Sequence, residues 1–259
     1  MTGRTAIFLS VRDKATRLPG KVMRPIHGKP AIVHLIDRLK RSREADVLVM
    51  TTSGEPGDDG LSTLAAENAI ACFRGSADDK LVRYLDAADA LGIDFFAVVD
   101  GDDLFADWTF VDQIIRDWRR SDADLVIVDK LPIGGTAFGV KTAAMRRVVE
   151  LKAESDTEVW GGYFTETGLF DCRFLQPEDP ALARPDLRMT LDYQEDLDFF
   201  TAVFDALYRP GEVFAFRDIV ALLERRPDIV ALNSSVQQRY EANLKKAAPV
   251  RLKTTATTR

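Results

Sequence analysis

Short apolar runs alternate with amphipathic helical patterns through the first half of the chain, and this alternation constrains the fold more than any other feature. Continuous apolar runs cover residues 5–11, 46–52, 69–73, 95–99 and 125–128. Runs of this length without polar alternation suit strands buried on both faces. Helical patterns lie between them, over residues 31–41, 61–68, 78–91 and 110–121. In the third of these, Leu81, Tyr84, Leu85 and Ala88 recur at three- and four-residue steps and share one face. The pattern predicts an α/β fold of three layers, a mostly parallel Rossmann-like sheet with helices on both sides. Such a sheet gathers the carboxyl ends of its strands along one edge, where a ligand crevice opens.

The rhythm changes after Lys130, where Pro132, Gly134, Gly135 and Gly139 interrupt it. Residues 131–186 read as an excursion from the sheet, either a lid or a subunit interface, with a helix at 142–152 and strand-like pieces at 160–165 and 169–174. The core resumes with a strand at 187–191, a helix at 194–207, a strand at 212–216 and a helix at 219–225. A length of 259 residues suits one domain over residues 1–252. The Thr-rich stretch 253–259 is expected to be disordered.

Three polar clusters follow expected strands. The first is the loop 12–30, whose bases Arg12, Lys14, Arg17, Lys21, Arg24 and Lys29 face one acid, Asp13, in a chain of net charge −6. The second is Asp100-Gly101-Asp102-Asp103. The third is Asp192, with Glu195 and Asp196 opening the next helix. If all three meet at one sheet edge, the bases suit a polyphosphate. Asp102 and Asp192 suit Mg²⁺, which needs only one or two protein carboxylates and completes its shell with water and phosphate oxygens. Each cluster also has a plainer reading. Arg12 and Arg17 serve as surface charges, Pro19-Gly20 and Asp-Gly-Asp-Asp as turns, and Asp192 as a helix cap. The acidic stretch is no calcium loop, because Phe105 and Val111 stand where that loop needs glycine and glutamate.

Other classes of function find little support. The acidic balance and the confinement of the basic residues to one Pro/Gly-shaped loop argue against nucleic acid as a partner. No apolar run is long enough to cross a bilayer, and the first residues lack the apolar core of an export signal, so a cytoplasmic location is expected. Cys72 and Cys172 stand in apolar surroundings without metal-ligand spacing and are expected to be buried bystanders. His27 and His34 have no nucleophile or ligand partner, and a structural role is expected for His34. The Asn233-Ser234-Ser235 sequon is idle without export. Walker and dinucleotide-binding glycine motifs do not occur.

Several motifs, in order, resemble a known family. Arg17-Leu-Pro-Gly-Lys21, then Ile26-His-Gly-Lys-Pro30 and the helix from Ile32, resemble the sugar cytidylyltransferases that make CMP-3-deoxy-manno-octulosonate and CMP-sialic acids. Phe73-Arg-Gly-Ser76, Asp100-Gly-Asp-Asp103 and the segment from Arg188 to Leu197 are similar to the branch named after spore coat polysaccharide biosynthesis protein F. The resemblance implies a glycosyltransferase-A-like nucleotidyltransferase fold and a homodimer. It also implies nucleotide contacts at Ser10, Arg12, Arg17, Lys21 and Asp102, with Gly75 and Ser76 near the base or ribose. Lys21, Arg12 and Arg17 become the catalytic cations, and Asp102 and Asp192 the Mg²⁺ ligands.

The expected reaction is Mg²⁺-dependent transfer of CMP from CTP to a small acidic sugar. Lys141, Glu158 and Arg173 are candidates for contacts to that sugar. Two departures from the family pattern stand out. Leu104-Phe105 replaces a proline after the metal aspartate, and Tyr193-Gln194 replaces Thr-Pro. The alternatives are another nucleoside triphosphate, a sugar phosphate or phosphonate as acceptor, and a catalytically silent nucleotide-binding protein.

Overall fold

The computed structural model describes residues 3–13, 17–155, 157, 159–244 and 250–253. Lys14, the candidate Glu158 and residues 254–259 of the expected tail lie outside them. The elements, in order, are β1 (Thr5–Ser10), β2 (Pro25–Ile26), β3 (Lys29–Pro30), α1 (Ala31–Leu39), β4 (Val47–Ser53), α2 (Asp59–Glu67), β5 (Ala71–Gly75), α3 (Lys80–Leu91), β6 (Phe95–Asp100), α4 (Trp108–Ser121), β7 (Leu125–Val128), β8 (Phe138–Lys141), α5 (Thr142–Leu151), α6 (Gly162–Thr165), β9 (Cys172–Leu175), α7 (Gln194–Leu207), α8 (Phe216–Arg225), α9 (Pro227–Ser234) and α10 (Val236–Leu244).

Among the described residues, seven strands form one sheet in the order β5-β4-β1-β6-β8-β7-β9, and β2 pairs with β3 in a separate hairpin. Only β8 runs against its neighbours β6 and β7. The two-residue period of β1 divides the core. Ile7 and Leu9 join the apolar layer formed with α1, α2, α4, α7, α8 and α9. Ala6 and Phe8 join the opposite layer, which holds α3, α5 and the Trp160–Phe164 aromatics. The expected three-layer, mostly parallel sheet is present.

The segment expected to leave the sheet instead completes it. β8 inserts between β6 and β7, and β9 forms the edge beyond β7. Gly139, read as an interruption, lies inside β8, where a Cβ would stand 2.2 Å from Ile114 Cγ2 and 2.5 Å from Phe95 Cζ. The expected strand piece at 160–165 instead holds the short α6 at Gly162–Thr165. The strands expected at 187–191 and 212–216 are irregular, apart from an isolated bridge between Ile133 and Arg188. Both cysteines are free, but Cys72 is exposed and Cys172 half-buried, so neither is the buried bystander expected. His34 is buried, bonded to the Ile26 carbonyl at 2.8 Å and packed on Phe204, a structural role.

Candidate active site

The site lies where β1 and β6 end. Gly101 N donates to the Ser10 carbonyl at 2.8 Å, and a Cβ on Gly101 would stand 2.8 Å from Val11 Cβ. Only glycine lets the two strand exits approach this closely. Downstream, Leu191 N donates to the Asp102 carbonyl at 2.9 Å, and Met189 N to the Ile133 carbonyl at 2.7 Å. The first of these bonds sets Asp192 beside Asp102, although the two are far apart in sequence.

The loop after β1 is rooted by apolar side chains. Leu18 and Val22 are buried in the core. Gly20, at φ +63°, turns the chain into the single 3-10 turn Lys21–Met23. Arg17 and Lys21 flank these anchors and therefore point to the strand exits. Asp58, buried below β4, accepts from Asp13 N, Ser53 N and the Thr52 and Ser53 hydroxyls, which ties the loop to the sheet.

The cleft enclosed here has a volume of about 660 Å³. Ser10, Arg12, Arg17, Lys21, Asp100, Asp102, Asp103 and Asp192 line it, together with the uncharged Leu131, Ile133, Thr136, Phe138 and Val159. Lys21 Nζ donates to Asp102 Oδ2 at 2.5 Å and to Asp192 Oδ1 at 3.0 Å. Arg17 Nη2 reaches the same Asp192 oxygen at 2.6 Å, with its guanidinium over the Tyr193 ring. Burial works against the Lys21 ammonium, but the Asp102 and Asp192 charges outweigh it and raise its pKa above the ordinary lysine value. Burial likewise disfavours the Asp192 carboxylate, yet Lys21 and Arg17 hold its pKa below the usual range. Asp103 differs. Burial, with the Asp102 and Asp100 charges added, pushes its carboxyl well above that range.

Asp192 does not cap α7. The carboxylate of Asp196 does so, accepting from Tyr193 N at 3.0 Å and from Asp192 N at 2.9 Å. Arg188 bonds Asp196 through Nε at 2.9 Å and Asp192 Oδ2 through Nη2 at 3.2 Å. Arg12 Nη1 donates to the Ala77 carbonyl. Ser10 Oγ accepts from the Tyr84 hydroxyl at 2.6 Å, and burial raises the Tyr84 pKa to about 12.

Other expected residues fall elsewhere. Gly75 ends β5 and Ser76 follows it, at the same sheet edge, but neither lines the cleft; the Ser76 carbonyl accepts from Arg83 Nη1 at 2.6 Å. Lys141 stands opposite Phe95, at the far end of antiparallel β8, and pairs with Asp122 at 2.7 Å. Arg173, on β9, is bidentate to Asp117 of α4 at 2.6 and 3.1 Å. Neither lines the cleft, and each is held by an acid outside it. The strand reversal at β8 carries Lys141 to the wrong edge.

Conversely, Lys80 and Arg83 of α3 and Tyr240 line the cleft, and Arg188 bonds Asp192 beside it, none of them expected there; Asp103 of the second polar cluster lines it too. Lys80 Nζ bonds Asp100 Oδ1 at 2.7 Å, and Arg83 is 1% exposed. The signal for Lys80 was positional. The first turn of a helix that follows a parallel strand faces the strand-exit edge.

The donor set can be tested against a divalent cation. Among the described residues no three His, Cys, Asp or Glu side chains gather as a metal cage. Asp102 and Asp192 nevertheless reach one cationic atom, Lys21 Nζ, together. Asp102, partly exposed, and the nearly buried Asp192 both line the cleft, and two such carboxylates match the way Mg²⁺ binds with a polyphosphate.

The family model for cytidylyltransferases matches residues 6–158. The chain belongs to the cytidylyltransferase family. It is therefore a CTP-dependent nucleotidyltransferase and an enzyme. The spore coat polysaccharide biosynthesis protein SpsF of Bacillus subtilis (strain 168) is 26% identical over 228 residues, covering 85% of this chain and 94% of that protein. A 3-deoxy-manno-octulosonate cytidylyltransferase of Anaeromyxobacter sp. (strain Fw109-5) is 30% identical over 117 residues, 44% of this chain and 46% of that protein. In fold, the structure of a cytidylyltransferase from Leptospira borgpetersenii matches with a TM-score of 0.79 at 22% identity, over 88% of this chain and 97% of that one. The CTP complex of CMP:2-keto-3-deoxy-manno-octonic acid synthetase matches with a TM-score of 0.57 at 11% identity, over 78% and 99%. The cytidylyltransferase therefore has the expected nucleotidyltransferase fold.

Proposed function

We propose that the enzyme transfers a cytidylyl group from CTP to a hydroxyl of a small sugar, releasing pyrophosphate, with the chemistry in the cleft at the ends of β1 and β6. The observation that carries this reading is the meeting of Lys21, Arg17, Asp102 and Asp192 within one hydrogen-bonded cluster. The acceptor oxygen attacks the α-phosphate and loses its proton. The α–β phosphoanhydride bond breaks. Lys21, Arg12 and Arg17 bind the β- and γ-phosphates and neutralise charge that grows on the leaving pyrophosphate. Asp102 and Asp192 would hold Mg²⁺, which supplies Lewis-acid charge at the phosphate oxygens. Phosphoryl chemistry of this kind asks a protein for positioning and electrostatics and needs no covalent nucleophile.

An acidic sugar is the acceptor favoured by similarity to the octulosonate enzyme. One observation favours a second reading, an uncharged sugar or polyol. Leu131, Pro132, Ile133, Gly134, Thr136, Phe138 and Val159 form a cleft wall without a cation among the described residues. The cations of the cleft come instead from the loop after β1 and from α3. The resemblance also supports a homodimer. No helix among the described residues is long and apolar enough to cross a membrane.

Pyrophosphate release, with CTP against ATP, GTP and UTP, and with acidic, neutral and phosphorylated sugars, tests base and acceptor. Lys21→Ala and Asp102→Asn are each expected to cut turnover at least ~100-fold, as loss of one preorganised electrostatic group does. Near wild-type rates at saturating CTP and Mg²⁺ would remove the assignment.

A further inference from the structure

Every acid in the chain of ion pairs that starts at Lys21 already has a base. Asp102 Oδ2 receives Lys21, Asp192 Oδ1 receives Lys21 and Arg17, and Asp192 Oδ2 receives Arg188. Asp196 receives Arg188 as well. Three carboxylates thus face three cations, and these six side chains together carry no net charge. The single atom that both Asp102 and Asp192 reach is the Lys21 ammonium, with a side chain only 14% exposed. It stands at the point their shared cation must take.

A divalent ion arriving alone must push this ammonium aside, away from both carboxylates. At these separations in a partly buried cleft, unlike charges attract by several times their strength in water. A nucleoside triphosphate changes the balance. It brings its own negative charge, gives Lys21 a new set of oxygens, and frees the carboxylates for the ion. The backbone need not move. Leu18 and Val22 anchor the turn in the core, and the flexible lysine stem can carry the ammonium from one set of oxygens to the other.

From this geometry we infer that Lys21 seals the divalent-cation seat of the nucleotide-free enzyme, so that the metal enters only with or after the nucleoside triphosphate. The inference rests on the proposed assignment of Asp102 and Asp192 as metal ligands. It gives Lys21 two successive partners, the carboxylates first and the phosphates second.

Mn²⁺ binding to chelator-stripped protein, read by electron paramagnetic resonance and calorimetry without nucleotide, tests it. Lys21→Met and Lys21→Gln are expected to bind Mn²⁺ at least about tenfold more tightly than wild type, a modest share of the attraction lost at this distance. Thermal melts in the absence of ligand check that both variants fold. In wild type alone, Mn²⁺ uptake without nucleotide should match that of Asp102→Asn. It should tighten at least about tenfold with a non-hydrolysable CTP analogue.

Equal Mn²⁺ affinity in wild type and the Lys21 variants, or tight uptake by wild type without nucleotide, overturns the inference. The ligand assignment then still stands if analogue-dependent Mn²⁺ uptake is lost in Asp102→Asn and Asp192→Asn. If the gain in Lys21→Met survives the addition of Asp102→Asn, the ion sits elsewhere, and assignment and inference fall together.

Discussion

Asp103 and Asp192 face the same cleft but respond to pH with opposite sign. Asp192 is more acidic in the fold than in the unfolded chain, because Lys21 and Arg17 outweigh its burial. The stability it contributes is present above the unfolded carboxylate pKa of about 3.9 and is lost as pH falls through the lower folded value. Asp103 is less acidic in the fold, through burial and the nearby Asp102 and Asp100 charges. The fold then binds a proton that the unfolded chain releases, so this group costs stability as pH rises above about 3.9. In metal-free protein, Asp103→Asn should therefore melt above wild type at pH 7, with the gap closing near pH ~4. Asp192→Asn should melt below wild type at pH 7, with its deficit shrinking under further acidification. Scanning calorimetry across this range checks both. A lower melting temperature for Asp103→Asn at pH 7 would contradict the burial argument.

At the scale of elements, β8 decides which end of the sheet each loop reaches. It runs antiparallel between β6 and β7, with Gly139 opposite Ala97 and Val126. Because the glycine has no side chain, Ile114 and Phe95 fill the space at that point. Gly139→Ala should cost about 1–3 kcal/mol, as overpacking a core does, read as a lower urea midpoint with an unchanged slope. A cost near zero would mean that the strand is not held against α4 as described. The same strand marks the limit of what the sequence shows. The parallel strands β1, β4, β5 and β6 were legible because each is a continuous apolar run before a helical pattern. Lys21, Asp102 and Asp192 were legible because each follows an expected strand. β8 was not legible, since glycine and lysine in a four-residue strand, Phe138–Lys141, hide the period and its pairing is set by distant partners. Lys141 was misplaced for that reason. The segment 187–191 was half legible. Its apolar residues are buried, but two bonds with Ile133 and one to Asp102 hold it rather than a ladder.

The whole molecule converges on Arg188. This guanidinium, 6% exposed, bonds Asp192 and Asp196 while its plane lies over the Tyr240 ring of α10, 4.6 Å from the centroid. Asn233 of α9 donates to the Arg188 carbonyl at 3.2 Å and to Asp196 Oδ1 at 3.1 Å. The last helices of the chain are thereby tied to the aspartate beside β6, and burial raises the Tyr240 pKa to about 12. A buried pair of this kind adds little net stability over a well-packed apolar replacement, because both charges lose their hydration. Removing one member is costly, because the other stays buried and unpaired. Arg188→Met should cost about 3–5 kcal/mol in chemical denaturation, since Asp196 is fully enclosed and Asp192 nearly so. Adding Asp196→Leu to Arg188→Met should recover part of that loss, although the bonds to Asp192 N and Tyr193 N are then gone. Stability and site should separate in the double variant. The fold regains strength, while Asp192, freed from Arg188 and from the Asp196 carboxylate that accepts from its N–H, holds Mn²⁺ with the CTP analogue more weakly than wild type does. If stability and Mn²⁺ affinity recovered together, Arg188 and Asp196 would serve the fold alone and not the placement of Asp192.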